Sequence, residues 1–410
     1  MGGHLVLVGG GHAHLATLKG IGDYVSRAHR VTLINPSTYH YYSGMGPGLL
    51  SGIYRPQEVR FNVGKMVERG GGTFIESRVT GIDPVNRALI LADGRTVTYD
   101  IASFNLGSEV VPVLRQRSHV GQENTPPTPL EGGIREGCAL RNMADRALDG
   151  FVPTPERVFP VKPIINLLTA RRSILDHSRD RGIEIVIIGG GPAGIELAGN
   201  AWRLANEHRI TARISLISGG AILEQSPARA RQFVLESFAL RGIGVREHVR
   251  MVAMESGHVS LPDGTDAPYD VAFLASGIRP PEIFRESGLP VTEDGSLMVD
   301  KDLRCVGSPT LFGGGDCVGV DGYRLAKVGV HAVGQSRVLR HNLLAALEGR
   351  SMRPFIPKEH YMLILNLGDG RGILCKCGGV FRGRWAYLLK DYVDRRFMRA
   401  FQVSGERTEP

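Results

Sequence analysis

Two glycine clusters have the spacing needed for nucleotide chemistry. The first reads GGGHAH over residues 9–14, and the second reads GGGPAG over residues 189–194. Each follows a run of Val, Ile and Leu residues typical of a buried parallel strand, and each precedes residues with helical spacing. Such a turn lets backbone N–H groups approach a pyrophosphate at a helix N-terminus. Each cluster therefore predicts a dinucleotide-binding strand-turn-helix unit.

A second repeat makes that prediction more specific. Residues 91–107 read LADGRTVTYDIASFNLG, and residues 261–277 read LPDGTDAPYDVAFLASG. In both segments an Asp-Gly pair is followed by Tyr-Asp and then by a glycine, 14 positions after the first Asp. This order predicts a hairpin turn and then a strand that returns to the parent sheet and ends beside the nucleotide. We therefore predict two nucleotide sites.

Length and composition agree with a folded chain of two or three domains. The 410 residues are 42% hydrophobic and 22% charged, which excludes disordered and fibrous classes. Glycine is unusually frequent, with 54 residues and no collagen-like period. The net charge of +8 permits an anionic partner such as nucleotide phosphates, nucleic acid or an acidic lipid surface. Five cysteines, an odd number in a chain of 410 residues, predict free thiols rather than a disulfide framework.

The sequence shows neither a targeting segment nor a membrane span. The first residues, MGGHLVLVGGG, begin a strand almost at once and lack the regions of a signal peptide. No apolar run approaches the ~18 residues of a spanning helix. We therefore expect a cytoplasmic protein, with peripheral binding to the inner face of a membrane as an option.

With a third motif, LFGGGDCVGV at 311–320, the chain resembles the two-dinucleotide-binding-domain flavoproteins of the pyridine nucleotide-disulfide oxidoreductase superfamily. The resemblance implies an α/β fold of two Rossmann-like domains, the second inserted in the first, plus a C-terminal segment with an amphipathic helix. It implies FAD in the first domain and NADH or NADPH in the second. The implied boundaries are 1–113 with 280–340 for FAD, 114–159 for an irregular insertion, 160–279 for NAD(P), and 341–410 for the C-terminal segment.

Cysteine spacing and two further segments indicate the branch. The chain has no CxxxxC pair early in the first domain and no CxxC pair in the second, so disulfide reduction is excluded. The segments YYSGMGPGLLSGIY (41–54) and LAKVGVHAVGQSRVLRHNLLAAL (325–347) resemble type II NADH dehydrogenases and sulfide:quinone oxidoreductases. The strongest resemblance is to the oxidoreductase module fused to selenide water dikinase. The implied activity passes two electrons from NAD(P)H through FAD to a quinone-like acceptor.

The resemblance assigns three residues to the chemistry. Lys327 would stabilise negative charge on the reduced flavin, His331 would contact the flavin or quinone, and Glu196 would lie near the nicotinamide and transfer a proton. The alternative for each is structural: a solvated lysine, a helix-capping histidine and a first-turn glutamate beside a helix dipole.

The cofactor-binding candidates lie in the glycine motifs and at strand ends. By resemblance, Asp316 would bond the ribityl chain of FAD. The other candidates are Gly9, Gly10, Gly11, His12, Ala13, His14, Asn35, Pro36, Ser43, Val79, Leu106, Gly107, Gly189, Gly191, Gly194, Gly277, Gly315, Lys327 and Gly329. His14 replaces the third glycine, while Asn35 and Ser218 replace the acidic ribose ligands of the two domains. The sequence therefore does not separate NADH from NADPH, and a second domain without nicotinamide stays open.

Two other functions compete with this hypothesis. In a sulfide:quinone oxidoreductase, sulfide or another reduced sulfur or selenium compound would be the donor, and cysteines would lie beside the flavin. Three cysteines, Cys138, Cys305 and Cys317, are isolated, and Cys375 and Cys377 form a CxC pair that is weak as a metal motif, so no metal site is predicted. A non-catalytic, flavin-stabilised regulatory protein is the third hypothesis. No motif for nucleic acid supports such a partner.

The segment 381–401 predicts an amphipathic helix. Its i+4 stripe is Trp385, Leu389, Val393, Phe397 and Phe401, with Leu388 and Tyr392 alongside. Its basic side has six positive charges, on Arg382, Arg384, Lys390, Arg395, Arg396 and Arg399, against two aspartates. This composition suits the surface of an anionic membrane. The alternative is that the stripe packs against the FAD domain or against a homodimer partner.

Overall fold

The computed structural model describes residues 2–110, 157–177, 182–358 and 360–409. Cys138 and residues 114–156 of the predicted insertion lie outside the described residues. The helices are α1 Leu15–Lys19, α2 Ile21–Val25, α3 Gly46–Ser51, α4 Val63–Arg69, α5 Asn166–His177, α6 Pro192–Glu207, α7 Ala228–Ala239, α8 Ile283–Glu286, α9 Gly329–Leu347 and α10 Arg384–Phe401.

The strands are mostly short and fall into two large sheets and several small ones. They are β1 His4–Val8, β2 Arg30–Asn35, β3 Tyr39–Tyr41, β4 Arg60–Asn62, β5 Thr73–Glu76, β6 Val79–Asp83, β7 Ala88–Leu91, β8 Thr96–Thr98, β9 Ile101–Phe104, β10 Glu109–Val110, β11 Val158–Pro160, β12 Ile183–Ile188, β13 Ala212–Ile217, β14 Gly244–Arg246, β15 Ala253–Glu255, β16 His258–Ser260, β17 Asp266–Pro268, β18 Val271–Leu274, β19 Ile278–Arg279, β20 Leu297–Val299, β21 Leu311–Gly313, β22 Val318–Val320, β23 Leu363–Asn366, β24 Gly372–Lys376 and β25 Gly379–Gly383.

Each glycine cluster follows the central strand of a five-stranded parallel sheet. The first sheet has the order β21-β9-β1-β2-β5, and the second has the order β11-β18-β12-β13-β14. The central strands, β1 and β12, are apolar and almost wholly buried because helices cover both faces of a parallel sheet. The two doubly wound sheets confirm the predicted α/β class, whereas the domain limits stay predictions.

The repeated Asp-Gly and Tyr-Asp motifs occupy the same place in the two halves. An antiparallel sheet, β6-β7-β8 in one half and β15-β16-β17 in the other, precedes the strand that returns to the parent sheet. The Asp100 Oδ2 atom accepts the N–H of His4 at 2.6 Å, and the Asp270 Oδ2 atom accepts the N–H of Glu184 at 2.8 Å. Each aspartate therefore ties the returning strand to the start of the central strand.

The first glycine of each cluster allows a close approach to the end of the returning strand. Gly9 has φ +89°, and a Cβ there would lie 2.3 Å from the carbonyl oxygen of Asn105. Gly189 has φ +124°, and a Cβ there would lie 2.4 Å from the carbonyl oxygen of Ala275. Only glycine combines this backbone conformation with this lack of space.

The C-terminal segment contacts both halves of the molecule. Leu365 and Ile373, in the small sheet β23-β24-β25, belong to the hydrophobic core of the second half. In contrast, Met398 belongs to the core of the first half, and Phe397 and Phe401 pack against it. The helix α10 therefore lies across the junction of the two halves.

We predict that Gly199→Ala destabilises the protein although alanine favours helices. Gly199 lies inside α6, and its Cβ would be 2.2 Å from the carbonyl oxygen of Leu367, so α6 and the turn after β23 would have to separate. The expected cost is about 1–3 kcal/mol of unfolding free energy, measured by urea denaturation.

Gly22→Ala is the matched control. Gly22 lies on the exposed side of α2 with nothing within 4 Å of its Cβ position, so the same substitution should stabilise by about 0.5–1 kcal/mol. Equal effects of the two variants would show that contact with the C-terminal sheet does not constrain α6.

Candidate active site

The first glycine loop presents donors without partners. The N–H of Gly10 is bound by the Asn35 Oδ1 atom at 2.9 Å, and that of Ala13 by the Asn105 Oδ1 atom at 3.0 Å. Within the described residues, the N–H groups of Gly11 and His12 have no acceptor. The loop therefore keeps two adjacent donors for an external anion. Asn35 uses its carbonyl oxygen on the loop, and its amide donates to the Ser37 carbonyl at 2.5 Å, so its side chain orders the loop.

The side chain of His12 adds a third donor. Its Nε2 atom is buried without a partner within the described part of the chain, while its Nδ1 atom lies 3.4 Å from the Nε2 atom of His40. Burial lowers the pKa of His12 to about 4, so the ring is neutral at pH 7. When His40 donates to Nδ1, the proton of His12 lies on the unpaired Nε2 atom. Three converging donors fit the pyrophosphate of a dinucleotide such as FAD.

The His14 side chain has a packing role, and its predicted contact with the cofactor stays a prediction. The ring is fully buried, with Nδ1 2.7 Å from the carbonyl oxygen of Gly9 and Nε2 2.8 Å from the hydroxyl of Ser103. Both nitrogens are used inside the chain, which leaves none for a ligand. The imidazole thus fills the space that a third glycine would leave and joins the loop to β9.

Asp316 is held by a residue that the sequence analysis missed. Its Oδ2 atom accepts hydrogen bonds from the Lys162 ammonium at 2.7 Å and from the Ser108 hydroxyl at 3.1 Å. Burial acts to raise the pKa of Asp316, but Lys162 and Ser108 outweigh it and hold the pKa below its ordinary value. The Oδ1 atom has no acceptor role within the described residues and remains available to a hydroxyl, as the ribityl assignment requires. Nothing in the local sequence distinguishes Lys162 from a surface lysine.

Lys327 and His331 line a small cavity of about 20 Å³ beside Asp316. Lys327 bonds the Ser296 hydroxyl and lies 3.2 Å from the Asp294 carboxylate, so its charge is partly compensated, and its predicted role at the flavin stays a prediction. The alternative of a solvated lysine at this position is therefore wrong. His331 is buried, which lowers its pKa, and the helix α9 has no side-chain cap at its start. The capping alternative for His331 is therefore wrong.

Gln335 positions the Gly-Asp motif from the second turn of α9. Its Oε1 atom accepts the N–H of Gly315 at 2.7 Å. Gly329 begins α9, directly after Val328, which lines the same cavity. Gln335, Gly315 and Asp316 therefore line one side of the cavity together.

The predicted residue Glu196 lies in a buried charge cluster. Its Oε1 atom accepts the N–H of Asn366 at 2.7 Å and lies 3.8 Å from the ammonium of Lys390. Lys390 also bonds the Asp394 Oδ2 atom at 3.0 Å, and the Asp394 Oδ1 atom accepts the hydroxyl of Tyr42 at 2.9 Å. Since α6 has no acidic residue in its first turn, the helix-dipole alternative for Glu196 is wrong.

Burial sets the protonation of this cluster. It raises the pKa of Glu196 and of Asp394, and Lys390 opposes both shifts. Burial alone would lower the pKa of Lys390, but the two carboxylates outweigh it and raise that pKa. Two carboxylates that share one ammonium can take up a single proton at low cost. This arrangement can store and release a proton at the junction of the two halves.

The second glycine loop is open to solvent, unlike the first. Gly191 is exposed at the start of α6, which offers its N-terminus to an anion. A Cβ on Gly194 would lie 1.9 Å from the carbonyl oxygen of Gly189, so the third glycine has the expected role in packing. Gly277 ends the returning strand with φ +70°.

The remaining candidates are spread around the first loop. Pro36, Leu106 and Gly107 follow the carboxyl ends of β2 and β9, where a parallel sheet binds ligands. Val79 begins β6, and Ser43 begins a short helical turn before α3. Their contact with a cofactor stays a prediction.

Comparison with known proteins identifies the fold. Residues 162–335 match the model of the pyridine nucleotide-disulphide oxidoreductase family. Among solved structures, the sulfide:quinone oxidoreductase of Aquifex aeolicus has a TM-score of 0.74 at 14% identity, covering 98% of this chain and 92% of that one. NDH2 from Plasmodium falciparum, in complex with NADH, has a TM-score of 0.74 at 14% identity, covering 99% and 98%. The chain has the two-dinucleotide-binding-domain flavoprotein fold.

Curated relatives are distant in sequence. The chain is 24% identical over 401 residues to demethylphylloquinone reductase NdbB of Synechocystis, covering 95% of this chain and 90% of the relative. It is 23% identical over 393 residues to oxidoreductase ptaL of Pestalotiopsis fici, covering 90% of each. It is 22% identical to the external alternative NAD(P)H-ubiquinone oxidoreductase B1 of Solanum tuberosum, covering 78% of this chain and 56% of the relative. These relatives and neighbours include the type of enzyme that the sequence predicts, whereas the likeness to a module fused to selenide water dikinase stays a prediction.

We predict that Lys390→Met costs about 3–5 kcal/mol of unfolding free energy, because it leaves two buried carboxylates without a counter-charge. The loss should be smallest below the ordinary pKa values of 4.5 for Glu196 and 3.8 for Asp394. It should grow as the pH rises through the raised values of the folded state, where protonation is lost. Denaturant titration at several pH values measures this dependence.

Lys376→Met, at an exposed lysine of the same C-terminal segment, is the control and should change stability little. Adding Glu196→Gln to Lys390→Met should recover part of the loss. A Lys390→Met variant as stable as the parent at pH 7 would mean that the cluster is not a structural centre.

Proposed function

We propose that this protein is an FAD-dependent oxidoreductase that passes two electrons from NAD(P)H to a quinone-like acceptor. The observation that carries the proposal is the position of the buried cluster of Glu196, Lys390 and Asp394 between a covered glycine loop and an open one. The covered loop suits a resident cofactor, and the open loop suits a nucleotide that exchanges at each turnover. The named activities of the relatives agree with this assignment.

The two glycine loops have different roles in this proposal. When bound, FAD can accept a hydride and pass on two electrons. The N–H groups of Gly11 and His12 and the Nε2 atom of His12 hold the pyrophosphate, and Asp316, fixed by Lys162, holds the ribityl chain. The open second loop at Gly191 and the N-terminus of α6 bind NAD(P)H.

Proton balance gives the buried cluster a role. NAD(P)H and one further proton reduce a quinone to a quinol, giving NAD(P)⁺. The hydride carries one of the two protons of the quinol, so the protein must deliver the other. Asp394, bonded to the Tyr42 hydroxyl, shares the ammonium of Lys390 with Glu196 and can carry that proton.

The described thiols do not favour sulfide as the donor. Sulfur chemistry needs a thiolate, but burial raises the pKa of Cys305 and of Cys317 to about 11 and also raises the pKa of Cys375. Cys377 is exposed in the turn after β24. No group of three or more metal-ligating side chains occurs within the described residues.

The helix α10 uses its apolar stripe differently from the sequence prediction. Phe397 and Phe401 pack against the first core, Lys390 belongs to the buried cluster, and Arg395 is paired with Glu58 at 2.7 Å. The inward packing of Phe397 and Phe401 supports the packing alternative for this part of the stripe. An outer surface remains exposed, which we call the aromatic patch; it consists of Trp385, Leu388 and Tyr392 of α10 and Phe381 of the preceding strand β25.

The aromatic patch supports peripheral binding to an anionic membrane. Its members are 47–59% exposed, and the arginines Arg384, Arg396 and Arg399 lie on the same helix. Within the described residues no helix is long and apolar enough to cross a bilayer. Beside the patch, a groove of about 710 Å³ between α1, α9 and α10 includes Val393, Phe397 and Phe401. This groove offers apolar volume for a quinone-like molecule.

The cofactor is tested by flavin content. Asp316→Ala removes the proposed contact with the ribityl chain. Gly11→Val places a Cβ atom 2.3 Å from the Oδ1 atom of Asn105, so the loop has to move. Both variants should therefore be purified largely without flavin. The visible absorbance of flavin, relative to the amount of folded protein, measures the flavin content. Asp321→Ala, at an exposed aspartate near Asp316 in sequence, should keep the flavin content of the parent. Full flavin content in both test variants would refute the placement, and parent protein that neither NADH nor NADPH bleaches would refute the function.

The aromatic patch is tested by co-sedimentation with liposomes. Trp385→Ser combined with Leu388→Ser should abolish binding to anionic liposomes at low salt and slow reduction of long-tailed quinones, while a water-soluble acceptor is still reduced. Leu240→Ser, at a leucine that is 86% exposed elsewhere, is the matched control. Parent protein that stays in the supernatant would contradict membrane binding. If it is then a dimer that the double variant dissociates, the patch is a homodimer surface.

A further inference from the structure

The turn after β13 lies where a dinucleotide-binding sheet contacts the adenosine ribose. In this type of sheet, an acidic residue at the end of the second strand binds the 2′-hydroxyl of NADH and repels the 2′-phosphate of NADPH, whereas a nearby arginine favours the phosphate. Here β13 ends at Ile217 and is followed by Ser218, Gly219 and Gly220. The turn therefore has no carboxylate at the selective position.

Backbone hydrogen bonds tie this turn to a basic segment. The N–H of Ser218 donates to the carbonyl of Arg246 at 2.9 Å, and the N–H of Val249 donates to the carbonyl of Ser218 at 2.9 Å. The N–H of His248 donates to the carbonyl of Gly220 at 3.4 Å. These bonds place the side chains of residues 246–250 directly beside the turn.

Arg250 lies over the turn because Gly219 has no side chain. Its Nε atom is 3.5 Å from the position where a Cβ of Gly219 would be. Arg246, His248 and Arg250 are all exposed, and neither arginine has an ion-pair partner within 4.0 Å in the described part of the chain. Arg250 is thus free to bind a ligand at this place, and Arg246 adds a second guanidinium group that also interacts with the Asp263 carboxylate.

The carboxylates that face the turn leave it positive. Glu247 is paired with Arg231 and accepts the N–H of Ile222 at 2.6 Å, so its charge is compensated. Glu224, on the opposite side of the turn, has its Oε2 atom 3.0 Å from the Cβ position of Gly220. Glu224 thus opposes the arginines at the turn itself. Asp263, between β16 and β17, partly compensates the charge of Arg246, so Arg250 supplies the uncompensated charge.

We infer that this turn and the arginines beside it form a subsite for the 2′-phosphate of NADPH, and that the protein prefers NADPH to NADH. A phosphomonoester carries a charge of about −1.5 to −2 at neutral pH, and an arginine binds it through paired, charge-assisted hydrogen bonds. NADH offers only a hydroxyl there, and Ser218 replaces the two-oxygen acceptor that a ribose diol prefers. The inference rests on the proposed function and names its donor.

The test compares ligands that differ only in this phosphate. The FAD-containing protein is titrated with 2′,5′-ADP and with 5′-AMP by calorimetry, and then with NADPH and NADH. We expect 2′,5′-ADP to bind at least about tenfold more tightly than 5′-AMP. In Arg250→Gln the affinity for 2′,5′-ADP relative to 5′-AMP should fall about tenfold, while binding of 5′-AMP is unchanged. The double variant Arg246→Gln with Arg250→Gln should show no preference for 2′,5′-ADP. Glu224→Gln should strengthen binding of 2′,5′-ADP alone.

Arg213→Gln is the matched control. Arg213 is an exposed arginine near the opposite end of β13 and is paired with Glu184, so its loss removes the same charge without touching the turn. Its ratio of 2′,5′-ADP to 5′-AMP affinity should equal that of the parent. Equal binding of the two nucleotides by the parent, with NADH as the better reductant, would overturn the subsite and leave the proposed function intact. Failure of both NADH and NADPH to bind would overturn both.

Discussion

The Lys390 ammonium is buried where α3, α6 and α10 meet, and a charge in that position persists only because acceptors surround it. The carbonyl of Gly44 belongs to the first half, Glu196 to the second, and Asp394 to the C-terminal helix itself. Each part of the molecule therefore supplies one acceptor to the same cation. Separation of any part would leave a buried charge unpaired, so this cluster determines how the two nucleotide-binding halves face each other.

The duplicated motif shows how the same local structure acquires different roles. Both glycine loops have a positive-φ glycine against a returning strand, and both units have an aspartate that ties that strand to the central one. The helix α10 covers the first loop, since Phe397 lies 5.9 Å from the ring of His12, whereas Gly191 of the second loop is exposed. Coverage slows exchange of a ligand and exposure permits it. The C-terminal helix thus makes the two otherwise similar loops unequal in their access to solvent.

Buried polar groups explain two of the three places where the sequence departs from the family pattern. His14 stands where a glycine is expected and is tolerated because the Gly9 carbonyl and the Ser103 hydroxyl use both of its nitrogens. Asn35 stands where a carboxylate is expected and orders the glycine loop through its carbonyl oxygen. Both residues thus make contacts that shape the loop.

The sequence alone determined the α/β class, the two parallel sheets, the hairpin at each Asp-Gly pair and the place of both glycine loops, because these features depend on residues near each other in the chain. It also indicated Asp316 and Glu196 by resemblance. Only the tertiary structure placed Lys162 on Asp316, 154 positions away, and Lys390 beside Glu196. Tertiary packing also divided the stripe of α10, turning Phe397 and Phe401 inward and leaving Trp385 and Leu388 exposed. Periodicity shows that a helix has an apolar face, but which residues are buried depends on the shape of the surface against which the helix packs.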